Sequence, residues 1–463
     1  MPAVNTLGIW YPDGYPGRAF DLNEIVAVVY PEAFPDRVEV RFRASSTQPV
    51  MFDRTEFEDA YDFAQNNPLA AKLATAINYN TEGGSINFNR STPAFNPDTL
   101  EMVAANEPRQ RSFSIGSFQY TMTLIEAAST NLLLYSQDFS QAEWVASSVV
   151  FSTTGVAPDG SSTAAQISDG GGILQSAGAG ALAEVYAASA YVKGTFDEVD
   201  IVVDNGTDEA RATVDLSDGS ISSTSGALQV DAAVETVGDG WYRVTVTGEG
   251  DFSADRRLQI IPTDTGANKR LSIWATQLEA DACSSYIPTT SAPAARTRDQ
   301  LINTLTTPIT YGSTIFTAYV PHLWTAHPGI DYEKVFWQQV GGPGRALHYI
   351  DTTGTGVTLR RDTTTGTADG PVGNAYLEGG KAGTVAAAFL ASGLEHRGYT
   401  QGAPQGTTAA AGGTFYDIDA LRLGEFDGDQ FNYIWVGVLG FAEALADAEI
   451  AELHSLTEVP GAM

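Results

Sequence analysis

The feature that most constrains this chain is a series of short stretches in which residues alternate with a period of two between turns of Gly, Asp, Asn and Ser. In residues 238–248, GDGWYRVTVTG, Trp241, Arg243 and Thr245 share one face, and Tyr242, Val244 and Val246 share the other. In residues 271–299, Ile273, Ala275 and Gln277 alternate against Ser272, Trp274 and Thr276. SAYVKG, VDIVVDN, ARATVDL and RLQIIPT are further short alternating runs. Successive side chains of a strand point to opposite faces, so such runs read as half-buried strands. Asp218-Gly219 and Asp239-Gly240 read as hairpin turns, which favour residues that tolerate positive φ. Together the runs predict antiparallel β-sandwich structure rather than a helical fold.

Composition sets the outer bounds. At 463 residues the chain exceeds one ordinary core, and two or three domains are expected. A hydrophobic content of 43% lets each domain bury a core. The balance of 56 acidic against 25 basic residues, a formal charge of −31, argues against nucleic acid and anionic membrane surfaces as partners. Cys283 is the one cysteine, so an intrachain disulfide framework and a cysteine-based zinc cluster are excluded. Beside the closing strand it reads as a small buried hydrophobe. No stretch has the pattern of a signal peptide or a membrane span, so maturation in a cytoplasm is expected.

Taken in order, residues 1–84 differ from the remainder. Aromatic-Pro-Gly clusters accompany strand-like runs at 24–30 and 37–44 and helix-like segments at 54–63 and 68–77. In the second helix Asn66 or Asn67 suits the N-cap, Pro68 the first position, and Leu69, Leu73 and Ile77 one face. The pattern predicts a small α+β base. Residues 85–123, with Pro93, Pro97 and Pro108, read as an extended connector. The first sandwich is placed at 124–299, its SYIPTT segment (285–290) reading as a linker, and a second sandwich at 300–463. A final amphipathic turn of helix carries Ala446, Ile450 and Leu453.

The ordered set TNLLLYSQDFS…W, GWYRV and IWATQLE…SSYIPTT resembles the carbohydrate-binding-module-like jelly roll of bacteriophage tail- and head-fibre proteins. Arg90, Ser91 and Thr92, then Ala104, Ala105, Asn106, Pro108 and Arg109, match the strand, turn and strand that precede it, although the usual Phe-Asp after the arginine is absent. The IWVG strand followed by LADAEI resembles the close of a laminin-G or concanavalin-like sandwich. The resemblance implies a mainly β structural protein of the virion, a fibre or head-spike subunit assembled in the host bacterial cytoplasm. Residues 1–84 would dock to capsid or tail proteins, the sandwiches would engage bacterial surface polysaccharide, and the subunits would form a homotrimer. Two rival functions stand beside it: a capsule-degrading hydrolase or lyase, and a capsid decoration protein without glycan contact.

Trp144, Trp241 and Trp274 lie in the fold-defining stretches and read as core. Trp324, His327, Trp337, Gln338, His348 and Tyr349 in the last module are the sugar-contact candidates, because aromatic rings stack on the apolar faces of sugars. Asp427, Asp429 and Asn432 offer hard oxygen ligands suited to calcium at a turn, though their spacing departs from an EF-hand; Asp417 and Asp419 add a weaker pair. No G-x-S-x-G elbow, Walker loop or H-E-x-x-H is present, so no enzyme is expected.

Overall fold

The computed structural model describes residues 75–309, apart from 116–117, 148–149, 169–170, 182–183 and 264–268. Elsewhere it describes the strands and helices given below and residues 437–438, 442 and 444–446. The described residues are mainly β, in antiparallel sheets.

Two six-stranded sheets form the jelly-roll sandwich. One has the order Val145–Ser147, Gly172–Ser176, Arg257–Pro262, Glu198–Asp204, Glu209–Asp215, Ile221–Gly226. The other has the order Val150–Gly155, Ala164–Ser168, Arg270–Ala280, Glu184–Gly194, Trp241–Gly250, Gln229–Gly238. Between them lies a core that includes Trp144, Ile201, Val203, Tyr242, Val244, Val246, Ile260 and Ile273. Asp239 and Gly240 both adopt positive φ, 51° and 74°, and turn Gln229–Gly238 into Trp241–Gly250 as the Asp-Gly pair predicts.

The predicted alternation of the Arg270–Ala280 strand holds only to Trp274. Ala275 takes φ 52°, and the register against Glu184–Gly194 slips between Ser189 and Tyr191. The extra residue is a β-bulge, which reverses the facing of the residues beyond it. Leu271 and Ile273 point into the core, and past the bulge so does Leu278.

Residues 85–123 are not an extended connector. Gly84–Asn89 pairs with Gln300–Ile309, and Phe118–Ile125 pairs with Ile434–Val436. Each proline-flanked stretch supplies a strand: Ala94–Asn96 follows Pro93, and Arg109–Ile115 follows Pro108. Proline lacks an N–H but is tolerated beside a strand's first residue. The jelly roll is therefore inserted into a second two-sheet unit whose strands come from both sides of it. Its seven-stranded sheet runs Gly366–Asp369, Val357–Thr363, Gly344–Ile350, Lys334–Gly341, Ile418–Leu423, Gln300–Ile309, Gly84–Asn89. In the other sheet the order is Arg109–Ile115, Phe118–Ile125, Ile434–Val436, Phe316–Trp324, Lys381–Phe389, Glu395–Thr400, Ala403–Ala409, with Leu439–Phe441 and Ile77–Asn78 attached.

The helix Pro68–Leu73 also belongs to this second unit. Leu69 and Leu73 are buried with Trp435, Ile450 and Leu453, and Lys72 pairs with Glu449 at 2.7 Å. Ile77 departs from the expected helical face: it lies in a strand against Gly440 and is 37% exposed. The closing helix Asp447–Leu456 buries Ile450 and Leu453, with Leu445 rather than the exposed Ala446 completing the contact. Ahead of Pro68, two three-stranded sheets are described, Ala3–Val4/Ile9–Tyr11/Phe20–Asp21 and Ile25–Val29/Arg37–Phe42/Val50–Asp53. The last sheet contains both predicted runs; the helix expected at 54–63 lies outside the described residues.

Candidate functional site

Two regions concentrate polar chemistry: the junction between the units and the outer face of one jelly-roll sheet. At the junction Arg90, Arg109 and Arg296 meet Glu126 and Asp299, all fully buried. Arg109 donates to both carboxylates, Arg90 donates to Asp299 at 3.1 Å, and Arg296 donates to Glu126. Ser285 adds its backbone N–H and its hydroxyl to Glu126, each at 2.6 Å. Burial alone would push the Glu126 carboxyl up. Arg109, Arg296 and Ser285 outweigh it and hold the group at about 2. A site this closed is architecture, because no ligand reaches it.

The same holds for the stretch read as a linker. Ser285, Tyr286, Ile287 and Thr289 are buried. Asn131 donates to the carbonyls of Thr276 (3.1 Å) and Ile287 (2.8 Å) and accepts from the N–H groups of Leu133 and Leu278. Gln277 accepts from Ile287 N–H at 2.6 Å, and Ser136 accepts from Thr289 N–H at 2.8 Å. Side-chain amides and hydroxyls thus satisfy a buried irregular backbone that no sheet pairs. Phe95, from the segment before the jelly roll, packs on Tyr191, Trp274 and Tyr286 with centroids 5.7–6.4 Å apart. This aromatic cluster, with Trp241, seals the outer face of the sheet that contains Arg270–Ala280. Trp144, Trp241 and Trp274 are all core, as expected. Cys283 is buried and burial pushes its thiol up, which makes it an inert hydrophobe.

The other jelly-roll sheet presents a different outer face. One row of register partners crosses all six strands: Val145, Leu174, Gln259, Val202, Arg211, Ser225. A second row holds Ser176, Arg257, Asp204 and Glu209, and a third Ile261, Asp200, Thr213 and Ser223. These residues are out of phase with the core-facing set Ile173, Ile260, Ile201 and Ala212, so they share the outward side. Arg211 binds Glu209 through two bonds of 2.9 Å and also donates to Asp200, whose other oxygen accepts from Thr213 at 2.7 Å. Arg257 donates to Asp204 at 2.5 Å, and Gln259 donates to the same carboxylate at 2.6 Å. The two arginine side chains are each 25% exposed. Val145 is 60% exposed at the end of the first row. Val202, Asp200 and Asp204 are buried beneath these side chains, so the face presents Arg211, Glu209, Arg257, Gln259 and Thr213 as a held array of donors and acceptors with an apolar flank. It can hydrogen-bond hydroxyls and pack against C–H surfaces without first ordering its own side chains.

Four of the six sequence-derived sugar contacts lie on two paired strands of the seven-stranded sheet. Trp337 and His348 are register partners in the seven-stranded sheet, Gln338 is in the same strand as Trp337, and Tyr349 is opposite Val335 and Thr358. Trp324 ends a strand of the other sheet, opposite Lys381 and Ile434. His327 lies outside the described residues, as do Asp417, Asp427 and Asn432. Asp429 pairs with Phe426 in a two-residue strand, and Asp419 is in the Ile418–Leu423 strand. Among the described residues no group of three or more metal-ligating side chains occurs, and no helix is long and apolar enough to cross a membrane. The open face carries no distinguishing signal in the sequence, because Asp, Arg, Gln and Thr at alternating strand positions are the ordinary composition of a solvated sheet. The runs VDIVVDN, ARATVDL and RLQIIPT did contain it.

No family model and no curated protein matches the chain. Among solved structures, the botulinum neurotoxin serotype D binding domain is similar over 34% of this chain and 40% of its own, at 11% identity and a TM-score of 0.28. The sialidase CBM40 of Ruminococcus gnavus, bound to alpha2,6 sialyllactose, is similar over 32% of this chain and 85% of its own, at 17% identity and a TM-score of 0.24. The chain thus spans less than half of the neurotoxin domain.

Proposed function

We propose that this chain is a non-catalytic glycan-binding subunit of a bacteriophage or phage-like particle, a fibre or spike that adsorbs to bacterial surface polysaccharide. The observation that carries the binding role is the outer surface of the jelly-roll sheet that contains Glu198–Asp204. There Arg211, Glu209, Arg257 and Gln259 are held in place by hydrogen bonds over the buried Val202, Asp200 and Asp204, while the opposite sheet is sealed by aromatics. The phage setting rests on the sequence resemblance. In this reading residues before Pro68 dock to virion proteins, and several copies, a trimer, face a repeating polymer. A repeating ligand suits a weak site, because linked copies gain avidity without new contacts. Assembly takes place in the host cytoplasm.

The test uses the purified full chain and polysaccharide extracted from the host. Binding is expected, and Gln259→Ala should weaken it by about tenfold, the worth of one or two hydrogen bonds. Release of reducing ends would replace this reading with a capsule-degrading enzyme. Absence of binding, with particles that lose stability when the chain is deleted, would replace it with a decoration protein.

A further inference from the structure

The charges on the open face narrow the ligand. Its outward positions hold Glu198, Asp200, Asp204, Glu209 and Asp215, with Asp255 at the rim, against two guanidiniums, Arg211 and Arg257. Each guanidinium is already claimed. Glu209 and Asp200 hold Arg211, and Asp204 and Asp255 (3.7 Å) hold Arg257. A carboxylate-bearing sugar would need a free cation at this face and would instead meet four uncompensated negative charges, the six acids less the two arginines. The separation between neighbouring rows is within one Debye length at physiological salt, so screening does not remove the repulsion. Hydroxyls face no such barrier. They donate to the carboxylate oxygens and accept from the guanidinium and amide N–H groups already in place.

Resting on the glycan-binding reading, we infer that the open face selects uncharged polysaccharide and rejects uronic- or sialic-type polymers, with Glu209 and Asp204 as the specificity-determining residues. They act by occupying the two arginines. A substitution that removes one of the two acids holding either arginine should relax the discrimination, because guanidinium is the natural fork for a carboxylate.

The experiment takes the full chain and a panel of neutral bacterial polysaccharides. Each is compared with the same polymer after oxidation of its primary alcohols to carboxylates. Binding to at least one neutral polymer, with a loss of about tenfold or more on oxidation, is the expected result, since like charges brought together cost at least that much. Glu209→Gln should narrow the gap several-fold. Asp204→Asn provides the same release at the other arginine; Glu209 is the more exposed of the two acids, so its variant is the safer for folding. Equal or tighter binding to the oxidised polymers would overturn the inference and leave glycan binding standing. An unchanged gap in a folded Glu209→Gln would overturn it too, whereas binding to neither form of any polymer would sink the glycan-binding reading itself.

Discussion

Replacing Glu126 with glutamine is the most informative single perturbation of this fold. Glu126 directly follows the last strand before the insertion and accepts from Arg109, Arg296 and both donors of Ser285. Glutamine fills the same volume but removes the charge, leaving three buried guanidiniums against Asp299 alone. Removing one partner of a buried pair costs roughly 3–5 kcal/mol. The lowered pKa of the group leads to a similar size. A carboxyl held at about 2 rather than 4.5 contributes about 3 kcal/mol of stability. The sign comes from the depressed value: the contribution is present above the ordinary carboxylate range and is lost as pH falls from about 4.5 through about 2. Denaturant unfolding of parent and Glu126→Gln, followed by tryptophan fluorescence at neutral pH and near pH 3, measures both quantities. Trp241 and Trp274 lie in the cluster beside the junction and report on its opening. The variant should lose about 3–5 kcal/mol at neutral pH and much less near pH 3, where the parent has already lost part of the contribution. A neutral-pH loss under about 1 kcal/mol, or an undiminished acid limb in the variant, would refute the assignment of this stability to Glu126.

Other substitutions and truncations have equally definite outcomes. Burial pushes the Glu279 carboxyl up despite bonds from Ser129 and Ser284, so its charge opposes folding as pH rises through the carboxylate range; Glu279→Gln should cost less than half of Glu126→Gln in the same neutral-pH unfolding assay. Gly226→Ala should cost at least about 2 kcal/mol, because φ is 133° and a Cβ would sit 1.9 Å from the Glu209 carbonyl oxygen, whereas Gly160→Ala, at φ 79° with open space around it, should cost about 1 kcal/mol; thermal unfolding ranks the two. Residues 300–463 expressed alone should fail to fold cooperatively, since the strands Gly84–Asn89 and Phe118–Ile125 would be missing from its two sheets; co-expression with residues 68–125 and sedimentation of the product checks this. A chain lacking residues 1–67 should stay folded but be absent from particles; normal incorporation would remove the proposed docking role from those residues.

Much of the jelly roll was legible because its signals are local. The two faces of the Trp241–Gly250 strand separate as the alternation predicts, with Trp241 on the sealed side and Tyr242, Val244 and Val246 in the core. The Asp239-Gly240 turn, the three core tryptophans and the buried cysteine needed only neighbours in sequence. The bulge was not legible, because alanine is an unremarked residue in a strand and only the register shows that Ala275 is left over. The insertion was hidden for a different reason. Pro93, Pro97 and Pro108 suggest a connector, yet each stands beside a strand rather than inside one, and pairing across about 200 intervening residues leaves no periodic trace. SYIPTT has the composition of a linker and is buried because Asn131 and Ser136, far away in sequence, and Gln277 in the strand just before it supply its hydrogen bonds.

The junction assigns a physical role to the residues that carry the resemblance. Ser129–Asn131 pairs with Ala294–Arg296, so the two ends of the insertion form a short clasp. Directly outside that clasp, Glu126 and Asp299 bind the arginines of the Arg-Ser-Thr and Pro-Arg stretches. One end of the clasp leads into the sheet holding Phe118–Ile125 and the other into the sheet holding Gln300–Ile309, so the ion pairs tie both sheets of the outer unit to the insertion. Asn131, Trp274, Gln277, Ser285 and Tyr286 are consumed in the same structure, and none stands on the open face. The pattern therefore reports how the jelly roll is held. The outward residues Gln259, Arg211, Asp204 and Glu209 can change without touching a single bond of the junction. Under the proposed function, such a division lets one scaffold exchange its ligand while keeping the mechanical link to the particle, because the two tasks fall on opposite sheets of the same sandwich.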